Sequence, residues 1–200
     1  AESEVLLDID TAMALAPNAA VVVYSAGFDG AGTSFQRVFN RMVSDGVDVI
    51  SNSWAYCEDQ TTLADVQSID AILQTAAAAG ISVFSGSGDS GSTCLDGGAN
   101  TIGVPAGSPH AVAVGGTSMT TGPLATYLGE TWWDGSAASP PDGQGGFGIS
   151  RYFVRPAFQN GFTASGMRSV PDVAFNADPY QGAVICPASA GGGPAPLLFG

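Results

Sequence analysis

Positive charge is nearly absent from this chain. Five basic residues face eighteen acidic ones, with a single histidine, for a formal charge of -13 over 200 residues. Such a balance repels phosphate backbones and anionic membranes, and so excludes nucleic acid and membrane surfaces as partners. Long apolar runs are also missing. Stretches such as Ala19 to Val23 fall far short of the roughly 20 residues a membrane helix needs. Cysteine is scarce: three residues give no disulfide scaffold and allow one bridge with one thiol left over. No Met and no basic, apolar leader precede Ala1, which reads as a processed or excised start.

What is present points to a folded, acid-tolerant domain. Apolar residues make up 45% and the mean hydropathy is +0.22, which excludes disorder. Charged residues are only 12% and Gly numbers 28, about twice its ordinary share of roughly 7%. The surface is therefore built largely from Gly, Ser, Thr, Ala and carboxylate. Protonation removes the repulsion among carboxylates, so such a surface suits low pH.

Helical and strand patterns alternate through the first half. Val5, Ile9, Ala12, Met13 and Ala16 recur at helical spacing, and Pro17-Asn18 stops that helix before the β-branched run Val21 to Tyr24. Ser34 is placed to cap a second helix with the stripe Phe35, Val38, Phe39 and Met42, and Gly46 ends it ahead of a strand from Val47 to Ser51. A third helix from Thr61 to Ala79 stops at Gly80 and feeds the strand Ile81 to Ser85; Val112 to Val114 is a fourth strand. Strands separated by helices predict βαβ units, hence an α/β domain with a largely parallel sheet flanked by helices on both faces. Gly135 to Gly148 reads as a long surface loop, with late strands at Ala174-Phe175, Val184-Ile185 and Leu197 to Phe199.

In a parallel sheet, chemistry gathers outside the carboxyl ends of the strands. Trp54 and Glu58 follow the second strand and Asp89 the third, on one rim. A helix antiparallel to its strands begins at that rim, so Glu4 and Asp8 face it, on one helix face with Cβ atoms roughly 5–6 Å apart. Acidic first turns are common because the macrodipole favours them, and Asp readily makes turns in Gly-rich loops. Three carboxylates converging with almost no basic partner ask for a chemical reading. His110 reads as a turn or packing residue, and Ser118 lacks the following helix that a nucleophile elbow needs. Trp132 and Trp133 cover core or line a cleft, the Gly-rich 145–148 segment lacks the Lys of a phosphate loop, and Asp172 and Asp178 read as turn formers rather than metal ligands. Cys57 and Cys94 follow neighbouring strands at the rim and are expected to bridge, leaving Cys186 over.

Ordered along nearly the whole chain are Glu4-Val-Leu-Leu-Asp8, Val49-Ile-Ser-Asn-Ser-Trp54, Ser87-Gly-Asp89-Ser-Gly91, Val104 to Thr117 with Ser-Pro-His110 within it, Gly145 to Phe153, and Pro171-Asp-Val with Ala177 to Gly182. With these segments the chain resembles the catalytic domain of the sedolisin, or serine-carboxyl peptidase, family, relatives of subtilisin. The resemblance implies a subtilisin-like fold, Glu4 as the base that takes the serine proton, Asp8 as the carboxylate orienting it, and Asp89 in the oxyanion hole. It sets Trp54 beside the pair, with Ser53, Ser87 and Gly88 supporting the site or binding substrate. The family's nucleophile lies in a Gly-Thr-Ser motif after a late apolar strand, where this chain stops at Leu198-Phe199-Gly200. Ala55 stands where the family commonly has glycine.

The expectation is thus a single peptidase catalytic domain over 1–200, incomplete at its C-terminus and without its prosegment. Calcium is expected in the full-length protein, with its ligands outside this chain. The implied partners are protein or peptide substrates and the protein's own prosegment, for a secreted monomer. A glycosidase fits poorly, since its two carboxylates flank a sugar from separate positions; a non-catalytic interaction domain descended from a peptidase is the alternative.

Overall fold

The computed structural model describes residues 2–27, 33–94, 98–137 and 143–181, with the backbone of 183–185 and 197–199. Three helices stand where the apolar periodicity put them: α1 (Glu2–Leu15), α2 (Thr33–Asp45) and α3 (Leu63–Ala78). The third starts at an extended Thr62, whose hydroxyl accepts the Asp65 amide at 3.2 Å. It stops where the amides of Gly80 and Ile81 fold back to the carbonyls of Ala77 and Ala76, at 3.1 and 2.9 Å. That closure needs a left-handed residue, and Gly80 supplies it at φ +82. Ser34, expected as the cap of α2, instead lies inside its first turn and is buried.

The main sheet uses β1 (Val49–Asn52), β3 (Ser82–Gly86), β5 (Val112–Thr121), β6 (Tyr127–Trp132) and β9 (Val173–Asn176). β1 pairs β3, β3 pairs β5 and β5 pairs β9, all parallel, while β6 returns antiparallel on the outer half of β5. Short antiparallel pairs join β2 (Tyr56–Cys57) to β4 (Gly103–Val104), β7 (Gly148–Val154) to β8 (Met167–Val170), and β10 (Ala183–Ile185) to β11 (Leu197–Phe199). The fold is an α/β architecture with a mixed, mostly parallel sheet.

Side chains alternate across a strand, and here the two faces differ. Ile50 and Val83 turn to α3 and α2, where Val66, Ile69, Leu73, Ala76 and Phe39 close a dry core. The register puts Val49, Phe84, Val114, Val173 and Phe175 together on the other face, and there Val49, Phe84 and Phe175 are exposed by 59, 38 and 64%. Among the described residues nothing covers that face. The same lack of a neighbour overturns one expectation: Val21 to Tyr24 enters no β-ladder and its valines are exposed. A strand needs an adjacent strand to satisfy its backbone, and among the described residues this segment has none; the Tyr24 hydroxyl anchors it, donating to Asp45 at 2.9 Å.

β9 is tied to β5 by a buried ion pair. Arg168, wholly buried, grips both oxygens of Asp172 at 2.6 and 2.5 Å, and Asp172 also accepts the Ala113 amide at 2.8 Å. Gln159 adds a third donor at 3.1 Å. Removing the cation leaves a carboxylate with too few donors in a dry place, so Arg168→Met is expected to destabilise the fold by about 3–5 kcal/mol. Lysine cannot reproduce the planar fork, and Arg168→Lys should recover little of the loss. Urea unfolding of the two variants measures both; a midpoint near wild type for either would contradict this account.

Candidate active site

β1 and β3 end side by side, and their carboxyl ends set the rim of the site. Asn52 is the last residue of β1 and Gly86 the last of β3. One residue beyond Asn52, the Ser53 hydroxyl donates to Asp8 Oδ1 at 2.8 Å, which docks the first turns of α1 on the rim. The helix spacing then brings Glu4 over the same spot. Glu4 is raised above its ordinary 4.5 first by loss of hydration, then by the negative charges of Asp8 and Asp89, with Ser53 as a hydrogen-bonding partner pulling it back. Asp8 is raised from 3.8 by burial, and Ser53 again opposes the shift. Asp89 is raised by burial alone. Its side chain touches solvent at the lip, but the loop crowds it enough to cost the ionised form its water.

The Asp89 loop is held from behind by residues 144–147. Ser87, buried, donates its hydroxyl to the Gly146 carbonyl at 2.6 Å, and the Gly146 amide answers to the Gly88 carbonyl at 2.7 Å. Amides of Gln144 and Phe147 bond the carbonyls of Asp89 and Gly91, both at 2.9 Å. The backbones approach so closely that a Cβ on Gly146 would lie 2.5 Å from the Ser87 carbonyl. The Gly-rich stretch, expected as a surface loop, is thus the clamp on the Asp89 loop. Below Ser53, the Asn52 amide donates to the Trp54 carbonyl at 2.6 Å and to Ser85 Oγ at 3.0 Å. A shallow cavity of about 160 Å³, lined by Ser51 to Ser53, Phe84 to Gly86 and Val114, opens beside it. Trp54 stands 48% exposed at the edge.

Other singled-out residues lie apart from this cluster. Cys57 and Cys94 form a disulfide with Cα atoms 5.7 Å apart; Cys186 lies outside the described residues. Glu58, expected on the rim, is fully buried instead, taking hydrogen bonds from Ser150 at 2.6 Å and the Arg151 amide at 2.8 Å. His110 sits before β5, at the opposite end of the sheet, bonded to Asp70 at 2.9 Å. Ser118 lies inside β5, paired with Thr131, with no turn into a helix. Trp133 is buried, whereas Trp132 donates to the Gly145 carbonyl at 2.8 Å and meets Phe147 edge-on. Asp172 is committed to Arg168, and Asp178 caps a turn through the Tyr180 amide at 2.9 Å. Among the described residues no group of three His, Cys, Asp or Glu could hold a metal ion, so the donors present do not fit a calcium site.

The α/β fold with a mixed, mostly parallel sheet is of the subtilisin-like class, and comparison with known proteins places the chain within it. Residues 8–189 match the model of the Subtilase family, and the chain belongs to that family. It is 37% identical over 196 residues to kumamolisin from Bacillus sp. (strain MN-32), covering 90% of this chain and 34% of that protein. Sedolisin from Pseudomonas sp. (strain 101) is 35% identical over 176 residues, covering 82% and 30%. The solved structure of Pseudomonas sedolisin, a serine-carboxyl proteinase complexed with two molecules of pseudo-iodotyrostatin, superposes with a TM-score of 0.75 at 32% identity, over 88% of this chain and 48% of that one. The chain therefore spans about a third of the curated relatives' length and about half of that structure.

The raised carboxyls fix the sign of a pH effect. The folded chain keeps protons on Glu4, Asp8, Asp89 and Glu58 that the unfolded chain has already released. Their contribution to stability is full below the ordinary values of 3.8 and 4.5 and is lost as pH rises through the raised ones. Asp45 and Asp134 shift the other way, but both are exposed and screened. Urea midpoints should fall from pH 4 to pH 7, and Glu4→Gln with Asp8→Asn should flatten the decline. A midpoint that climbs over this range would refute the assignment.

Proposed function

We propose that this chain is the acid-base half of a serine-carboxyl peptidase that hydrolyses peptide bonds in proteins at low pH, with Glu4, Asp8 and Asp89 as its catalytic carboxyls. The observation that carries the reading is the convergence of these three groups on one rim, each with a raised pKa and none with a lysine or arginine acting on it. Membership of the subtilase family and the likeness to sedolisin support it.

In this reading the ionised Glu4 takes the proton of a serine hydroxyl as its oxygen attacks the peptide carbonyl carbon. The carbonyl π pair moves onto oxygen, and Asp89, still protonated, donates a hydrogen bond to the oxyanion. Protonated Glu4 then gives its proton to the departing amine, and a water attacks the acyl-enzyme by the same route. A histidine base would be protonated and useless in acid; a carboxylate pair that keeps one charge is not. Asp89 imposes the opposite limit, because once ionised it repels the oxyanion. No step passes through a metal.

The serine belongs, on this reading, to a segment outside residues 1–200. Ser118 lies mid-strand, about half of the solved sedolisin chain has no counterpart here, and the uncovered face of the sheet borders the cavity beside Ser53. The Cys57–Cys94 bridge fits an oxidising compartment, hence secretion.

The test compares two polypeptides on an acid-denatured protein substrate. Residues 1–200 alone should show no cleavage, whereas the parent polypeptide should cleave with an optimum below pH 7. In the parent, Glu4→Gln should abolish turnover with the fold intact, and Asp89→Ala should cost about 10²- to 10³-fold in kcat. Asp89→Asn keeps a donor and should retain part of the rate while weakening the decline at high pH. Near-normal kcat for Glu4→Gln would remove the assignment, and a parent that binds peptides without cutting them would identify an interaction domain.

A further inference from the structure

Glu58 is a fully buried carboxyl that the acid-base scheme above does not use. We propose that Glu58 is the positioning residue of the Asp89 loop, joining the disulfide that holds one end of the loop to the strand that carries the clamp on the other. The proposal rests on the peptidase reading for its catalytic meaning but not for its geometry.

Two tethers hold the loop, and both run back to Glu58. The first is the Cys57–Cys94 bridge: Cys57 immediately precedes Glu58, and Cys94 closes the loop beyond Asp89. The second is the clamp, where residues 144–147 bond the carbonyls of Gly88, Asp89 and Gly91 and then run straight into β7. Inside β7 the Ser150 hydroxyl donates to Glu58 Oε1 at 2.6 Å and the Arg151 amide donates to Oε2 at 2.8 Å, across 92 and 93 residues of sequence. The Glu58 amide in turn donates to the Ile102 carbonyl at 3.0 Å, next to β4. β7 begins so close to that residue that a Cβ on Gly148 would lie 2.7 Å from the Ile102 side chain. One residue thus fixes β2, β4 and β7 against one another.

The donors around Glu58 leave no equivalent substitute. Ser150 Oγ already accepts the Tyr152 and Phe153 amides at 3.1 and 3.0 Å, so both its lone pairs are taken and its one proton goes to Glu58. The Arg151 amide needs an acceptor as well. Glutamine offers one oxygen and one NH2 group, so whichever way it turns it sets a donor against a donor. Gly107 backs the carboxyl so tightly that a Cβ there would lie 2.9 Å from Oε1. The charged groups acting on Glu58 are Arg151 on β7 and Asp59 beside it, and the Arg151 guanidinium, partly exposed, lies 3.8 Å from Asp59. Neutral donors, not a cation, therefore hold the carboxyl in place.

Asp89 holds its proton because the loop withholds water from it, and Glu4 is the charged group that faces it. Glu58→Gln should loosen the loop and readmit that water. Side-chain carboxyl NMR titration of residues 1–200 should then find Asp89 moved down toward its ordinary 3.8, with Asp8, which burial and Ser53 govern, in place. Hydrogen exchange should show the Gln144, Gly146 and Phe147 amides losing about tenfold in protection, while the Asp172 amide, bonded to Ala113 in the main sheet, keeps its own. Ser150→Ala, which removes one donor and spares the carboxyl, should act in the same direction by less and serves if Glu58→Gln fails to fold. Arg168→Met separates positioning from mere loss of stability: it should free the Asp172 amide and leave the titration of Asp89 where it is. In the parent enzyme, Glu58→Gln should lower kcat by up to about 10²-fold with KM little changed, and start the alkaline decline at lower pH. Unchanged titration of Asp89 and unchanged protection of the clamp in both Glu58→Gln and Ser150→Ala overturn the proposal, as does an equal shift of Asp89 in Arg168→Met. Shifted titration with a parent that cleaves nothing keeps Glu58 as the anchor of the loop and overturns the peptidase reading instead.

Discussion

Like charges drawn to one place repel, and the scaffold around Glu4, Asp8 and Asp89 is arranged so that this repulsion is held rather than relieved. No lysine or arginine acts on the three; the arginines described in ion pairs serve elsewhere, Arg168 with Asp172, Arg151 near Asp59 and Arg41 with Asp45. What holds the cluster is backbone and neutral hydrogen bonding. The Gly146 clamp fixes the Asp89 loop, the Asn52 amide fixes the strand end, and one serine hydroxyl docks α1. A cation beside them would lower all three carboxyls, and on the proposed reading would take from Asp89 the proton it donates. Holding the charges with dipoles keeps the protons available.

The exposed sheet face belongs to the same design. A mostly parallel sheet is ordinarily covered on both sides, and here α2 and α3 cover one. The other presents Val49, Phe84, Val173 and Phe175 to water, an exposed apolar patch of the kind that ordinarily takes a partner. The cavity beside Ser53 takes Phe84 and Val114 from this face and Asn52, Ser53 and Ser85 from the rim. A segment packed over this face would therefore also border that cavity.

Most of the architecture was legible because it rests on local signals. Apolar spacing set the three helices, Gly80 set the end of α3, and β-branched runs set β1 and β3. Failures came where a partner distant in sequence decides. Val21 to Tyr24 has all the composition of a strand, yet a strand exists only by pairing. Glu58 follows β1 as a rim residue would, but β7 folds over it and supplies Ser150 from 92 residues away. Residues 145–148 lacked the marks of a phosphate loop and so looked idle; Gly146 is there for close backbone approach to Ser87 and Gly88, and Gly145 for approach to Gly116, roles visible only once those segments are beside them. Glu4 and Asp8 were readable from helix spacing, and Asp89 from its place after a strand. The Ser53 hydrogen bond to Asp8 was not, because no periodicity connects residue 8 to residue 53.

The placement of the carboxylates explains why two kinds of element share the site. Glu4 and Asp8 ride one helix, so their separation is set by helix geometry and survives small movements of α1 as a rigid pair. Asp89 sits on a loop whose position depends on the 144–147 clamp and can differ in environment from the pair. On the proposed reading, a base and an oxyanion donor need opposite protonation at the same pH, which two members of a single helix face, sharing one environment, could hardly maintain. On that reading, dividing them between a helix and a separately clamped loop lets the two ends of the acid range be set independently.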